Sequence, residues 1–138
     1  MKRRSWFLAI ALLTGAAALA VAATSEPPVT LSIDAATIAA LKTFRATPKF
    51  LDLPGAPAEQ ERRRLEPLIN ALADRLIAGI EAHPTDTWVL EQMTPTVEAF
   101  YLEDTEARER CVDDLAQLFR ILGIHSDRGA FARFFITI

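Results

Sequence analysis

Leu65, Leu68, Ile69, Leu72, Leu76, Ile77 and Ile80 recur at three- and four-residue intervals, a spacing that gathers them on one stripe of an α-helix and on no single face of a strand. A stripe of this length must be covered by other apolar surface, which commits the chain to helix-on-helix packing. Pro57 suits a first helical turn, and Glu59 and Glu61 follow where the helix dipole favours negative charge. Pro67 falls inside the pattern. A helix-interior proline costs about 3 kcal/mol, so a kink, or a helix restarting at Pro67, is expected. His83-Pro84 ends the segment.

A second stripe of the same period is formed by Ala107, Cys111, Leu115, Leu118 and Leu122, with Asp104 as a capping residue before it and Gly123 as a stop after it. A shorter helix is predicted over Asp34 to Ala46, where Asp34 caps, Ile38, Leu41 and Phe44 share a face, and Pro48 terminates. Between the two long stripes, Thr85 or Asp86 caps a segment carrying Trp88, Val89, Leu90 and Met93. Thr94-Pro95 has the form of a fresh helix start leading into Val97, Phe100 and Tyr101. Thr47 to Pro57 reads as a loop, with Phe50, Leu51 and Leu53 turned toward the core.

Val29, Leu31 and Ile33 alternate with Thr30 and Ser32, and Phe134, Ile136 and Ile138 alternate at the other end, so a short terminal strand pair is expected. The resulting fold class is mainly α, a single domain of three or four helices over residues 34–138, preceded by a linker and short strand over 24–33. Its 138 residues suit one domain, and no internal repeat is present.

Residues 1–23 read differently. Lys2, Arg3 and Arg4 precede an apolar run from Trp6 to Leu19, and Ala20-Val21-Ala22-Ala23 supplies small side chains for a signal peptidase. A cleaved secretory leader is therefore expected, cut after Ala22 or Ala23. The competing reading is a retained anchor, because Trp6 to Ala23 approaches the length of a bilayer span. The domain itself then touches a membrane only through this segment before cleavage, and the location is periplasmic or secreted, in a bacterium. The leader holds three of the fifteen basic residues and no acidic one, which leaves twelve basic against eighteen acidic, a net of about −6. An acidic domain does not suit a phosphate backbone, and the one basic run, Arg62-Arg63-Arg64, sits among Glu59, Glu61 and Glu66. Nucleic acid is therefore not the expected partner.

Cys111 is the only cysteine. It permits no intramolecular disulfide and, on the apolar stripe, is expected to pack as a small hydrophobe. Two histidines, His83 and His125, stand too far apart for a zinc pattern, and His125 to Gly129 carries one carboxylate where a calcium loop needs several. No metal or cofactor is expected. Ser126 beside His125 is not a triad, and no G-x-S-x-G or phosphate-cradling glycine loop occurs.

The densest acidic stretch spans residues 98–114: Glu98, Glu103, Asp104, Glu106, Glu109, Asp113 and Asp114, with Arg108 and Arg110 among them. Glycoside-type acid–base chemistry needs two carboxyls in unlike surroundings. Here Asp104 is committed as a cap, Glu106 faces Arg110 one turn on, and Asp113-Asp114 are expected in water opposite the apolar stripe. No catalytic residue is assigned. Aromatic residues are favoured in cores and in partner contacts alike, and in Phe100/Tyr101 and Phe134/Phe135 one member of each pair must lie nearer the surface. Trp88, Tyr101, Glu103, Glu106 and Phe135 are the residues expected at a partner surface.

The run Glu103 to Cys111, with Gly123-Ile124 and the turn before Phe131, resembles small exported bacterial domains of unknown function over the last third to half of the chain. That resemblance implies a helical fold and no activity. The function expected is a non-catalytic binding or inhibitor module that meets another exported protein. Two other readings stay open: a small periplasmic enzyme using the 98–114 carboxylates, and a peripheral membrane protein using its aromatic end. Oligomeric state is open too, since a stripe facing a second copy reads like one facing a core.

Overall fold

A computed structural model describes residues 26–51, 58–134 and 138. They form four helices, α1 (Ala35–Ala46), α2 (Glu59–Gly79), α3 (Asp86–Tyr101) and α4 (Thr105–Leu122), followed by a 3₁₀ turn at Ala132–Phe134. Each helix packs on its chain neighbour and α4 closes back on α1; α2 and α4 meet across the middle, while α1 and α3 stay apart. The mainly helical single domain that the two stripes require is what the chain builds.

The caps operate as their chemistry dictates. Asp34, Thr85 and Asp104 each accept a backbone N–H three residues on, from Thr37, Trp88 and Ala107, satisfying donors that a helix start leaves without partners. Gly123 ends α4 at φ 71°, left-handed backbone that glycine enters without steric cost. The core holds the α2 stripe at Leu65, Ile69, Leu72, Leu76 and Ile80, the α4 stripe with Cys111, and Phe100 and Phe131, all essentially without exposure. Of the Phe100/Tyr101 pair, Phe100 is buried and Tyr101 exposed.

Two local expectations are corrected. Of the outcomes expected at Pro67, a restart does not occur: α2 runs as one helix from Glu59 to Gly79 with the proline on its exposed side. Pro95 does not begin a new helix either, since α3 continues through it, and the Thr94 hydroxyl donates to Leu90 O at 2.9 Å rather than capping. In both helices the buried face on either side of the proline offsets the one lost hydrogen bond.

The strand pair expected between the chain ends falls largely on residues 135–137, which lie outside the described residues. Val29 to Ile33 lies against the start of α3, with Leu31 N donating to Pro84 O (2.8 Å) and Asp86 N to Val29 O (3.1 Å), around a single antiparallel bridge between Thr30 and Thr85. No strand occurs among the described residues. Asp86 fastens the Val29 segment: its buried carboxylate accepts from Val29 N (2.8 Å), Thr87 N (2.8 Å) and Arg128 Nε (2.7 Å). Arg128 in turn donates to Glu26 O and Pro27 O, so this side chain ties the early segment to the turn after α4. At the other end the chain coils at Ala132–Phe134. Ile136 lies outside the described residues, as do Leu53, Pro57 and the leader, residues 1–23.

Candidate functional site

Arg110, Asp113, Asp114 and Gln117 follow one another at three, four and seven residues along α4, which sets them on one helix face beside the apolar stripe. The chain leaving α1 folds over that face. Phe44, Lys49, Phe50 and Leu51 oppose the four α4 side chains across a cavity of about 260 Å³.

Lys49 is unusual among the described residues, a lysine only 5% exposed. Its ammonium donates to Phe44 O (2.7 Å) and Thr47 O (2.8 Å) and stands 4.5 Å from the centre of the Phe44 ring. It thus answers carbonyls that α1 leaves open at its C-terminal end, where the helix dipole favours a cation. Burial pulls its pKa below the ordinary lysine value, partly countered by attraction to Asp114 and Glu66. Next to it, Phe50 holds φ at 61°. This left-handed conformation costs a non-glycine residue about 1–2 kcal/mol, and it is held by burial of the ring, which stacks on Phe100 at 5.9 Å.

Asp114 faces this lysine from α4. Burial raises its carboxyl to about 6; Lys49 and Arg110 draw it down, while Asp113 and Glu66 push it further up. This corrects the expectation that both aspartates stand in water. Asp113 does, with 76% of its side chain exposed, but Asp114 is half-buried in the groove. Nor does Arg110 pair with Glu106: the carboxylate it approaches is Asp113, at a loose 4.0 Å. Among the described residues, Arg110 and Asp114 form no hydrogen bond. Cys111, between them in sequence, points into the core, where burial pushes its thiol far above the range in which a thiolate forms.

The residues expected at a partner surface do not form one cluster. Trp88, in the first turn of α3, is half-buried and stacks on His83 at 5.4 Å; Tyr101, thirteen positions along the same helix, lies about 20 Å away. Tyr101 meets the Phe134 ring edge-on. Glu103 is clamped by both terminal nitrogens of Arg64, at 2.6 and 2.7 Å, so its carboxyl is held below its ordinary range, first by that hydrogen bonding. Glu106 is exposed in the first turn of α4, and Phe135 lies outside the described residues. Arg63 and Arg64 pair with Glu59 and Glu61, the local partners that their sequence neighbourhood implies. Among the described residues, no group of three or more His, Cys, Asp or Glu could hold a metal ion, and no helix is long and apolar enough to cross a membrane.

A second concavity, about 160 Å³, lies beside Asp86, Arg128 and His125. Its two charges are committed to each other and to backbone, which makes it a clamp on the chain near Glu26. Of these two concavities, the α1–α4 groove is the one whose ionisable side chains are not committed to each other.

The molecule is thus a small helical domain with a polar groove at one helix end. A family model described as a domain of unknown function (DUF4844) matches residues 32–137, and the chain belongs to that family. No curated protein and no solved structure matches it.

Proposed function

We propose that this protein is an exported, non-catalytic binding module whose ligand sits in the groove between the end of α1 and the Arg110–Gln117 face of α4. The observation that carries this reading is Asp114. A carboxylate held half-buried near a buried lysine, itself accepting no hydrogen bond among the described residues, weakens the fold unless something is gained from it, and ligand sites are where such groups gather. Export rests on the pattern of residues 1–23, a positive start, an apolar run and a small-residue close.

Binding is favoured over catalysis by what faces the groove. Asp113, open to water, and Asp114, half-buried, stand in unlike surroundings, but they are neighbours on one helix and do not face each other across the cavity as carboxyls flanking a reacting bond do, and among the described residues the lining contains no histidine, serine or cysteine to act as base or activated nucleophile. The test is ligand-observed NMR of the purified protein against a panel of small polar metabolites and a periplasmic extract, repeated with Gln117→Trp. Gln117 is exposed on the groove wall, so tryptophan there fills the cavity without entering the core. Binding that the substitution abolishes supports the reading. Binding indifferent to it, or none from either source, refutes it.

A further inference from the structure

We propose that the groove takes a small zwitterion of the α-amino-acid type, its ammonium against Asp114, its carboxylate against Arg110, and an aliphatic side chain on Phe50 and Leu51. This rests on the groove being the binding site, and it follows from which charges there are already spent.

Two of the three protons of Lys49 go to the Phe44 and Thr47 carbonyls, so this ammonium is mostly committed to ending α1. Among the described residues Arg110 reaches only Asp113, at 4.0 Å, which leaves its planar fork of donors turned to the cavity for a carboxylate. Asp114 is an acceptor facing the cavity from one helical turn further along. Side chains four apart on a helix have Cβ atoms about 5–6 Å apart, a distance that an ammonium and a carboxylate on one carbon bridge with a hydrogen bond at each end.

Charge balance narrows the class. Among the described residues the lining carries two cations, Lys49 and Arg110, and two anions, Asp113 and Asp114, with Arg110 4.0 Å from Asp113 and Asp114 turned toward Lys49. A simple anion meets the two aspartates, and a simple cation meets the arginine and the lysine. An uncharged apolar molecule strips water from both unspent charges and returns nothing. Only a ligand carrying both signs satisfies both ends. Size agrees: at about 260 Å³ the groove lies below the roughly 300–1,000 Å³ of ordinary ligand pockets, which suits a single amino acid. The polar groups are concentrated on α4, and Phe44, Phe50 and Leu51 supply an apolar wall for the side chain.

The test uses three probes: L-leucine, leucine methyl ester, which lacks the carboxylate, and 4-methylpentanoate, which lacks the ammonium. Each is titrated to about 10 mM, a range that captures affinities as weak as millimolar, into the ¹⁵N-labelled protein. Wild type, Asp114→Asn and Arg110→Gln are compared, with circular dichroism to establish that each variant is folded. Leucine is expected to shift the amides of Phe50, Arg110 and Gln117, with each truncated probe and each variant weakened by about tenfold or more, the loss of one charge-assisted contact. Equal binding of the three probes, or equal binding by the three proteins, overturns the proposal. If leucine leaves these amides unmoved while a component of the periplasmic extract moves them in wild type and not in Gln117→Trp, the ligand class is wrong and the groove stands. If neither moves them, both fall.

Discussion

Asp114→Asn should stabilise this protein at neutral pH while removing its ligand contact. Asparagine has the shape of the protonated acid, so the substitution reports what it costs the fold to ionise that side chain. The carboxyl rises from 3.8 to about 6 on folding, which corresponds to about 3 kcal/mol if the whole shift is realised. Water reaching the groove screens part of it, leaving roughly 1–2 kcal/mol. The shift already contains the attraction of Lys49 and Arg110, so no separate loss needs to be subtracted. The sign is that of a raised acid: between pH 3.8 and about 6 the folded protein keeps a proton that the unfolded chain has released. Wild-type stability therefore falls as pH rises through that window, and the full cost stands above it. Urea unfolding of both proteins from pH 3.5 to 8 should show the variant ahead by roughly 1–2 kcal/mol at pH 7.5, a midpoint shift of about 1 M for a domain of this size, with the curves converging as pH drops toward 4. Taking the difference between the two removes the contributions of other groups, including Asp34, Asp86 and Glu103, whose lowered values act in the opposite direction. A variant less stable than wild type at pH 7.5, or a gap that does not change with pH, would refute the reasoning.

Asp86→Ala should cost about 3 kcal/mol, because it leaves the guanidinium of Arg128 and the N–H of Val29 without their partner, and amide exchange at Val29 and Leu31 should accelerate with it. Burial opposes ionisation of Asp86, but Val29 N–H, Arg128 and Thr87 N–H together hold the carboxyl below its ordinary value. Its contribution is therefore present above about pH 4 and lost as pH falls through the lowered value, which acid titration of wild type against the variant will show. Gly79→Ala should destabilise by about 1–2 kcal/mol despite the better helix former, since a Cβ there would stand 2.5 Å from Cζ2 of Trp88; the emission of Trp88 should change, and Trp88→Leu should relieve the loss. Pro67→Ala should add about 1–3 kcal/mol in thermal or urea unfolding by restoring an N–H bond to Arg63 O at an exposed position. An unchanged midpoint would mean that the helix on the N-terminal side of Pro67 contributes little.

The family match extends over residues 32–137, beyond the last third to half of the chain in which a resemblance is visible to the eye. That part includes α4, where the helical signal is densest, with a cap at Asp104, a regular stripe and a glycine stop at Gly123 within twenty residues. Where that density drops, around Thr94-Pro95, local cues indicated a break, and the buried face of α3 overrode them. Asp113 and Asp114 show the same limit at the scale of one side chain. Adjacent acids on a polar face look alike in sequence, but 100° of helix rotation puts one in water and the other under Lys49 and Phe50.

What the sequence by itself determined is the set of helices and the direction of their apolar faces. Both follow from interactions between residues three and four apart, from caps that act within one turn, and from the left-handed stop at Gly123. What only the tertiary structure decided is everything made by residues distant in the chain: the Asp86–Arg128 clamp on the segment at Val29, and the groove in which the chain leaving α1 covers one face of α4. Those outcomes depend on desolvation and on which charge comes to face which, and neither exists until the helices have packed.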